Sequence, residues 1–141
     1  MVKRIKMVKR KIREVWGKIG DQLKLAKRFL EEDRIDEALY FVWIAAENIV
    51  NTIKTAINGY YLKDHKEKSY VLKEYFAIGV LKKNYSGIFE RLSKYRIAAE
   101  FHPYTSIPRS YSRKSVVKYL REVEELKREV EIFLKSKGVL K

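Results

Sequence analysis

The segment Ile35-Asp36-Glu37-Ala38-Leu39-Tyr40-Phe41-Val42-Trp43-Ile44-Ala45-Ala46-Glu47-Asn48-Ile49-Val50-Asn51-Thr52-Ile53-Lys54-Thr55-Ala56-Ile57-Asn58 decides the fold class. Its residues Ile35, Ala38, Leu39, Val42, Ala45, Ala46, Ile49, Val50, Ile53 and Ile57 recur three and four positions apart, the spacing of one helix face. The pattern continues through Tyr60 to about Leu62, so the helix is expected to run past Asn58-Gly59. Trp43, Glu47, Asn51 and Lys54 fall off the stripe, and Asp33 or Asp36 is placed to cap its start. Residues 38–46 are the longest uncharged apolar run, far short of the roughly 20 helical residues that cross a bilayer.

The same period extends to either side. Val8, Ile12, Val15, Ile19, Leu23, Ala26 and Leu30 predict an earlier helix, with room for a kink at Gly17 and Gly20. The acidic Glu31-Glu32-Asp33 closes it in a short turn. Residues 63–69 are polar and read as a connection, in which His65 is a solvated loop or cap residue. A shorter helix is expected over 70–81, packing on Leu72, Tyr75, Phe76 and Gly79, before a turn at Asn84-Tyr85-Ser86-Gly87. A fourth, over 88–101, buries Ile88, Leu92, Tyr95 and Ala99 and leaves Arg96 on the rim of a cleft. Residues 103–112 have no period and form a loop. A last helix, from Ser112 or Arg113 to about Lys135, turns Val116, Leu120, Val123, Val130 and Phe133 inward. Its acids Glu122, Glu124, Glu125, Glu129 and Glu131 go to solvent in mixed-sign pairs. No alternating strand pattern stands out. The chain reads as all-α, an antiparallel bundle of four to five helices. Residues 1–16 form a basic extension continuous with or leading into the first helix, and 17–141 a single domain.

Charge narrows the function. The 141 residues carry a net charge of +14 and no cysteine, which rules out disulfides and thiolate metal sites. Only His65 and His102 are histidines, so a histidine-rich metal site is ruled out too, and no cofactor is expected. The excess charge points to polyanion partners, with nucleic acid, RNA included, ahead of any membrane surface. It is clustered: Lys3, Arg4, Lys6, Lys9, Arg10, Lys11 and Arg13 stand with no acid among them, and Arg109, Arg113, Lys114, Lys118 and Arg121 follow later. Lys3, Arg4, Lys6, Lys9, Arg10, Arg109, Arg113 and Lys114 are the candidate phosphate contacts. No apolar signal core follows the basic N-terminus, so a cytoplasmic location is expected.

Candidate chemistry concentrates in Arg96-Ile97-Ala98-Ala99-Glu100-Phe101-His102-Pro103-Tyr104. A proline moves the preceding residue out of the α region, which puts His102 at or just past a helix end. Two readings follow. Arg96 pairs with Glu100 at i+4 and His102 merely faces the helix end, or the two side chains meet at a site beyond it.

These segments together resemble the HEPN superfamily of small helical bundles. Residues 22–30 (Gln-Leu-Lys-Leu-Ala-Lys-Arg-Phe-Leu) are similar to its first helix. Asp36-Glu37-Ala38-Leu39 and Ala45-Ala46-Glu47-Asn48-Ile49-Val50 are similar to its second, and Arg96 with His102 to its Arg-x4-6-His signature. The resemblance spans about residues 17–135. It implies a metal-independent endoribonuclease of toxin-like or defensive use, acting as a homodimer with two Arg/His sites across one cleft. His102 would then transfer protons and Arg96 would hold phosphate. Tyr104 is similar to the tyrosine of family toxins that a minimal nucleotidyltransferase partner adenylylates. Ile97 stands where active members usually carry a polar residue, and the five-residue gap from Arg96 to His102 exceeds the four of those toxins. The alternative is a non-catalytic helical module that docks nucleic acid or a nucleotidyltransferase.

Overall fold

The computed structural model describes residues 4–5 and 9–141, with side chains for 9–141 except Leu62. Five helices account for most of them: α1 (Lys9–Glu31), α2 (Ile35–Asn58), α3 (His65–Ala77), α4 (Ser86–Phe101) and α5 (Arg113–Ser136). The expected all-α bundle is the fold. One small departure is a two-residue antiparallel ladder between β1 (Arg4–Ile5) and β2 (Tyr61–Leu62), which ties the N-terminal segment to the exit of α2.

α1 buries Ile12, Trp16, Ile19, Gln22, Leu23, Ala26 and Leu30 and runs without a break through Gly17 and Gly20. Ile12 and Trp16 lie in the core and Arg13 Nε donates to the Val139 carbonyl, so residues 9–16 belong to the bundle. Of the two expected arrangements of the extension, residues 9–16 take the one continuous with the first helix. α1 ends where Asp33 enters the left-handed region (φ 57°), with Arg34 N–H on Phe29 O and Asp33 N–H on Leu30 O. That crossed pair of bonds closes the open carbonyls of the last turn, and aspartate is one of the few side chains that tolerate the geometry.

α2 is the central element, packed against α1, α4 and α5. Trp43, off the stripe, is buried against Phe89 of α4. The helix stops at Asn58, because Gly59 at φ 81° turns its N–H back to Thr55 O, and does not continue to Leu62. Neither Asp33 nor Asp36 caps its start. Asp36 instead accepts Tyr111 Oη–H and an Arg109 N–H at 3.2 Å, holding the loop before α5 against α2. Asn48 donates to Gln22 across the α1–α2 contact, fixing the register of an otherwise apolar seam.

α3 begins earlier than the apolar pattern suggests. Asp64 caps it by accepting the N–H groups of Lys66 and Glu67. Its packed face is Lys68, Ser69, Val71, Leu72 and Tyr75, while Phe76 is exposed and Gly79 lies beyond the helix. α4 buries Ile88, Phe89, Leu92 and Ala98, with Tyr95 and Ala99 only half-buried. α5 opens on a reciprocal cap between Ser112 and Ser115. Phe133 is half-buried, and Leu126 and Leu134 fill the inward face beside Val130. Two of its acids are not simply solvated: Glu129 accepts Tyr85 Oη–H and Lys82 N–H, and Glu131 accepts the Trp16 indole N–H at 2.8 Å. Among the described residues, no helix is long and apolar enough to cross a membrane.

Candidate functional site

Arg96 projects from the last half of α4 back onto α2, its guanidinium carbon 5.3 Å from the centre of the Trp43 ring. Its Nε is buried without a hydrogen-bond partner. No ion pair to Glu100 forms among the described residues, so the i+4 reading of Arg96 is not the one adopted. His102 caps α4 as the proline implies, with ψ 132° and its N–H on Ala98 O. Its imidazole is exposed and makes no hydrogen bond, ion pair or ring contact among the described residues, and Tyr104 is 92% exposed. Arg96 and His102 share no hydrogen bond, ion pair or ring contact.

What gathers around Arg96 is a different set. The His65 ring meets Trp43 edge-on at 5.0 Å, and its Nδ1 lies 3.1 Å from Glu47 Oε2. That contact is electrostatic, because the buried Nδ1 lacks an aligned hydrogen-bond acceptor. Lys68, one turn further along α3, reaches the same carboxylate oxygen at 3.3 Å and is only 4% exposed. Burial pulls the His65 pKa below its usual 6.5, with Lys68 and Arg96 acting in the same sense and Glu47 and Asp64 opposing. Burial likewise lowers Lys68, with Glu47 opposing. His65 is thus not a solvated loop residue. The signal that could have found it is Asp64-His65-Lys66-Glu67, an acid followed three residues later by Glu, which marks a helix start.

Beyond His65 a groove of about 460 Å³ opens between α3 and α4. Lys66, Ser69, Tyr70 and Lys73 come from one helix, and Phe89, Glu90 and Ser93 from the other.

The predicted basic contacts divide. Arg109 is held 3.2 Å from Asp36, and Arg113 donates to Leu30 O and lies 4.0 Å from Asp33. Lys114 is exposed and unpaired among the described residues, as is Arg121. Together with Arg113 and Lys118 they line an open groove of about 820 Å³ along the first turns of α5. Lys9 and Arg10 are exposed at the start of α1, Arg10 in a loose pair with Glu14 at 3.9 Å. Lys3, Lys6 and the side chain of Arg4 lie outside the described residues. Among the described residues, no three His, Asp or Glu side chains gather to hold a metal ion.

No family model matches this chain, and no curated protein matches it.

Proposed function

We propose that this chain is an HEPN-like helical module that binds RNA through the basic face at the start of α5. The observation that carries the reading is that Lys114 and Arg121 stand unpaired among the described residues, beside Arg113 and Lys118 in one open groove, on a chain of net charge +14. Unpaired ammonium and guanidinium groups release counterions from a polyanion at no cost in internal ion pairs. The test is RNA binding across a salt series. Each phosphate contact on a single strand adds about 0.7 to the slope of log K against log salt, so Lys114→Ala with Arg121→Ala should flatten it by about 1.4. An unchanged slope would remove the groove from the interface. Neutralising Lys9 and Arg10 asks the same question of the N-terminal face. It is preferable to deleting residues 1–13, which would also remove the buried Ile12.

A second reading, a metal-independent endoribonuclease, is supported by the free imidazole of His102 at the end of α4 and the unpartnered Nε of Arg96. On this reading the chain acts as a homodimer that pairs two Arg/His sites across one cleft. Incubating RNA in chelator with the wild type, His102→Ala and Arg96→Ala decides it. Cleavage lost in both variants supports the nuclease, and sedimentation as a monomer at micromolar concentration removes it. The exposed Tyr104 phenol is then open to a nucleotidyltransferase partner, a modification that mass spectrometry reads directly.

A further inference from the structure

The groove between α3 and α4 belongs to neither of these readings, and its lining is chemically specific. Lys66 and Lys73 are seven residues apart on the exposed side of α3, and neither has an ion-pair partner among the described residues. A seven-residue spacing is close to two turns, so both ammonium groups overlook the same channel. The opposite wall supplies Glu90, whose carboxylate already accepts Ser69 Oγ–H at 2.7 Å, and the half-buried hydroxyl of Ser93. Tyr70 stands 64% exposed at the edge, its ring in no aromatic or cation–π contact among the described residues. Phe89, almost wholly buried, forms the floor.

The two free cations outnumber the one carboxylate, so the groove favours an anion. Two ammonium groups match a phosphomonoester, which carries close to two charges at neutral pH, better than the single charge of a diester. A carboxylate and a hydroxyl facing them suit the hydroxyls of a sugar, and an open tyrosine suits a planar ring. At about 460 Å³ the space is that of one small ligand, within the 300–1,000 Å³ of such pockets. We propose that the α3–α4 groove binds a phosphomonoester on a ring-bearing sugar, with the phosphate at Lys66 and Lys73 and the ring against Tyr70. Free nucleoside monophosphates and the 5′-phosphorylated end of a strand share this chemistry. The inference does not depend on the α5 surface.

Calorimetric titration of the full chain tests it with uridine 5′-monophosphate, uridine, ribose 5-phosphate, and a short oligouridylate with either a 5′-phosphate or a 5′-hydroxyl. The monophosphate should bind and uridine should not, at concentrations up to about 1 mM. Lys66→Ala with Lys73→Ala should weaken the monophosphate about tenfold or more. Tyr70→Ala should weaken it while leaving ribose 5-phosphate unchanged. These three side chains are exposed, so the variants should keep the wild-type circular dichroism. Tighter binding of the free nucleotide assigns the groove to a small molecule, and tighter binding of the 5′-phosphorylated oligonucleotide assigns it to strand ends. Lys114→Ala with Arg121→Ala should leave monophosphate binding intact, which separates this site from the α5 surface. The proposal is overturned if the monophosphate does not bind, if it binds no better than uridine, or if the lysine pair can be removed without effect.

Discussion

The guanidinium of Arg96 lies over the ring of Trp43, 5.3 Å from its centre, and joins α4 to α2. The cation shares a largely buried environment with an indole that is itself 4% exposed. Such a contact is worth about 0.5–2 kcal/mol, and the alkyl stem adds packing. Arg96→Ala should therefore lower stability by about 1–2 kcal/mol in a denaturant titration, and Arg96→Lys by less. An unmoved midpoint would mean that the stack contributes nothing, and loss of RNA cleavage in the alanine variant could then be assigned to chemistry alone.

Lys68 offers a sharper case, because its ammonium is taken out of water and answered by one carboxylate, Glu47, at 3.3 Å. Removing the acid leaves the charge stranded. Breaking a fully buried pair costs about 3–5 kcal/mol, and Glu47 retains some exposure, so Glu47→Ala should cost about 2–3 kcal/mol. Lys68→Met should cost much less, since the apolar chain refills the same space. Combining Lys68→Met with Glu47→Ala should recover much of the loss, a non-additivity that a double-mutant cycle measures. Additive losses would show that the two groups do not depend on each other.

Acid should reach His65 before it reaches the carboxylates. Its pKa in the folded chain lies below the usual 6.5, because of burial and then Lys68 and Arg96, against the pull of Glu47 and Asp64. Below pH 6.5 the unfolded chain therefore takes up this proton first, and stability falls as the pH drops toward the folded value. Above 6.5 both states are neutral and the group has no effect. Glu131, held down chiefly by the Trp16 indole hydrogen bond, titrates below its usual 4.5 and so acts at lower pH. Denaturant midpoints measured from pH 7 to about 5 should decline in the wild type and decline less steeply in His65→Gln. Equal slopes would show that His65 is as easily protonated folded as unfolded.

Much of the bundle was legible in the apolar periodicity, since α1, α2 and α5 each present a stripe that recurs every three or four residues. What the stripe could not convey was where neighbours lie on several sides. Trp43 is buried because α4 covers the flank of α2 beside the stripe, where Phe89 packs on it at 5.1 Å. α3 was misplaced because its buried face includes Lys68 and Ser69, polar residues that no hydrophobic count includes. The end of α2 was overrun because Tyr60 and Tyr61 are apolar in phase, whereas a single glycine dihedral at Gly59 decides the matter. At the candidate site, Pro103 correctly placed His102 at a helix end. The direction of Arg96 was not readable, because it is set by an indole fifty-three positions away in sequence.

Gly17 and Gly20 close the comparison between local cost and tertiary packing. Both lie inside α1, where glycine is destabilising by about 0.8–1 kcal/mol relative to alanine because the unfolded chain is freer and the helix gains no side chain. A Cβ built at either position meets no atom within 4 Å beyond its own helical surroundings, so nothing in the fold requires the missing carbon. Neither has the positive φ that would exclude alanine, in contrast to Gly59, Gly79 and Gly138. Gly17→Ala with Gly20→Ala should therefore raise stability by about 1–2 kcal/mol, read as a higher denaturant midpoint at an unchanged slope. Gly59→Ala should act in the opposite direction, since its φ of 81° is strained for any side chain. If the α1 pair destabilised the protein, the outer face of that helix would be in contact with something besides water, and a second copy of the chain would be the first candidate to test by sedimentation.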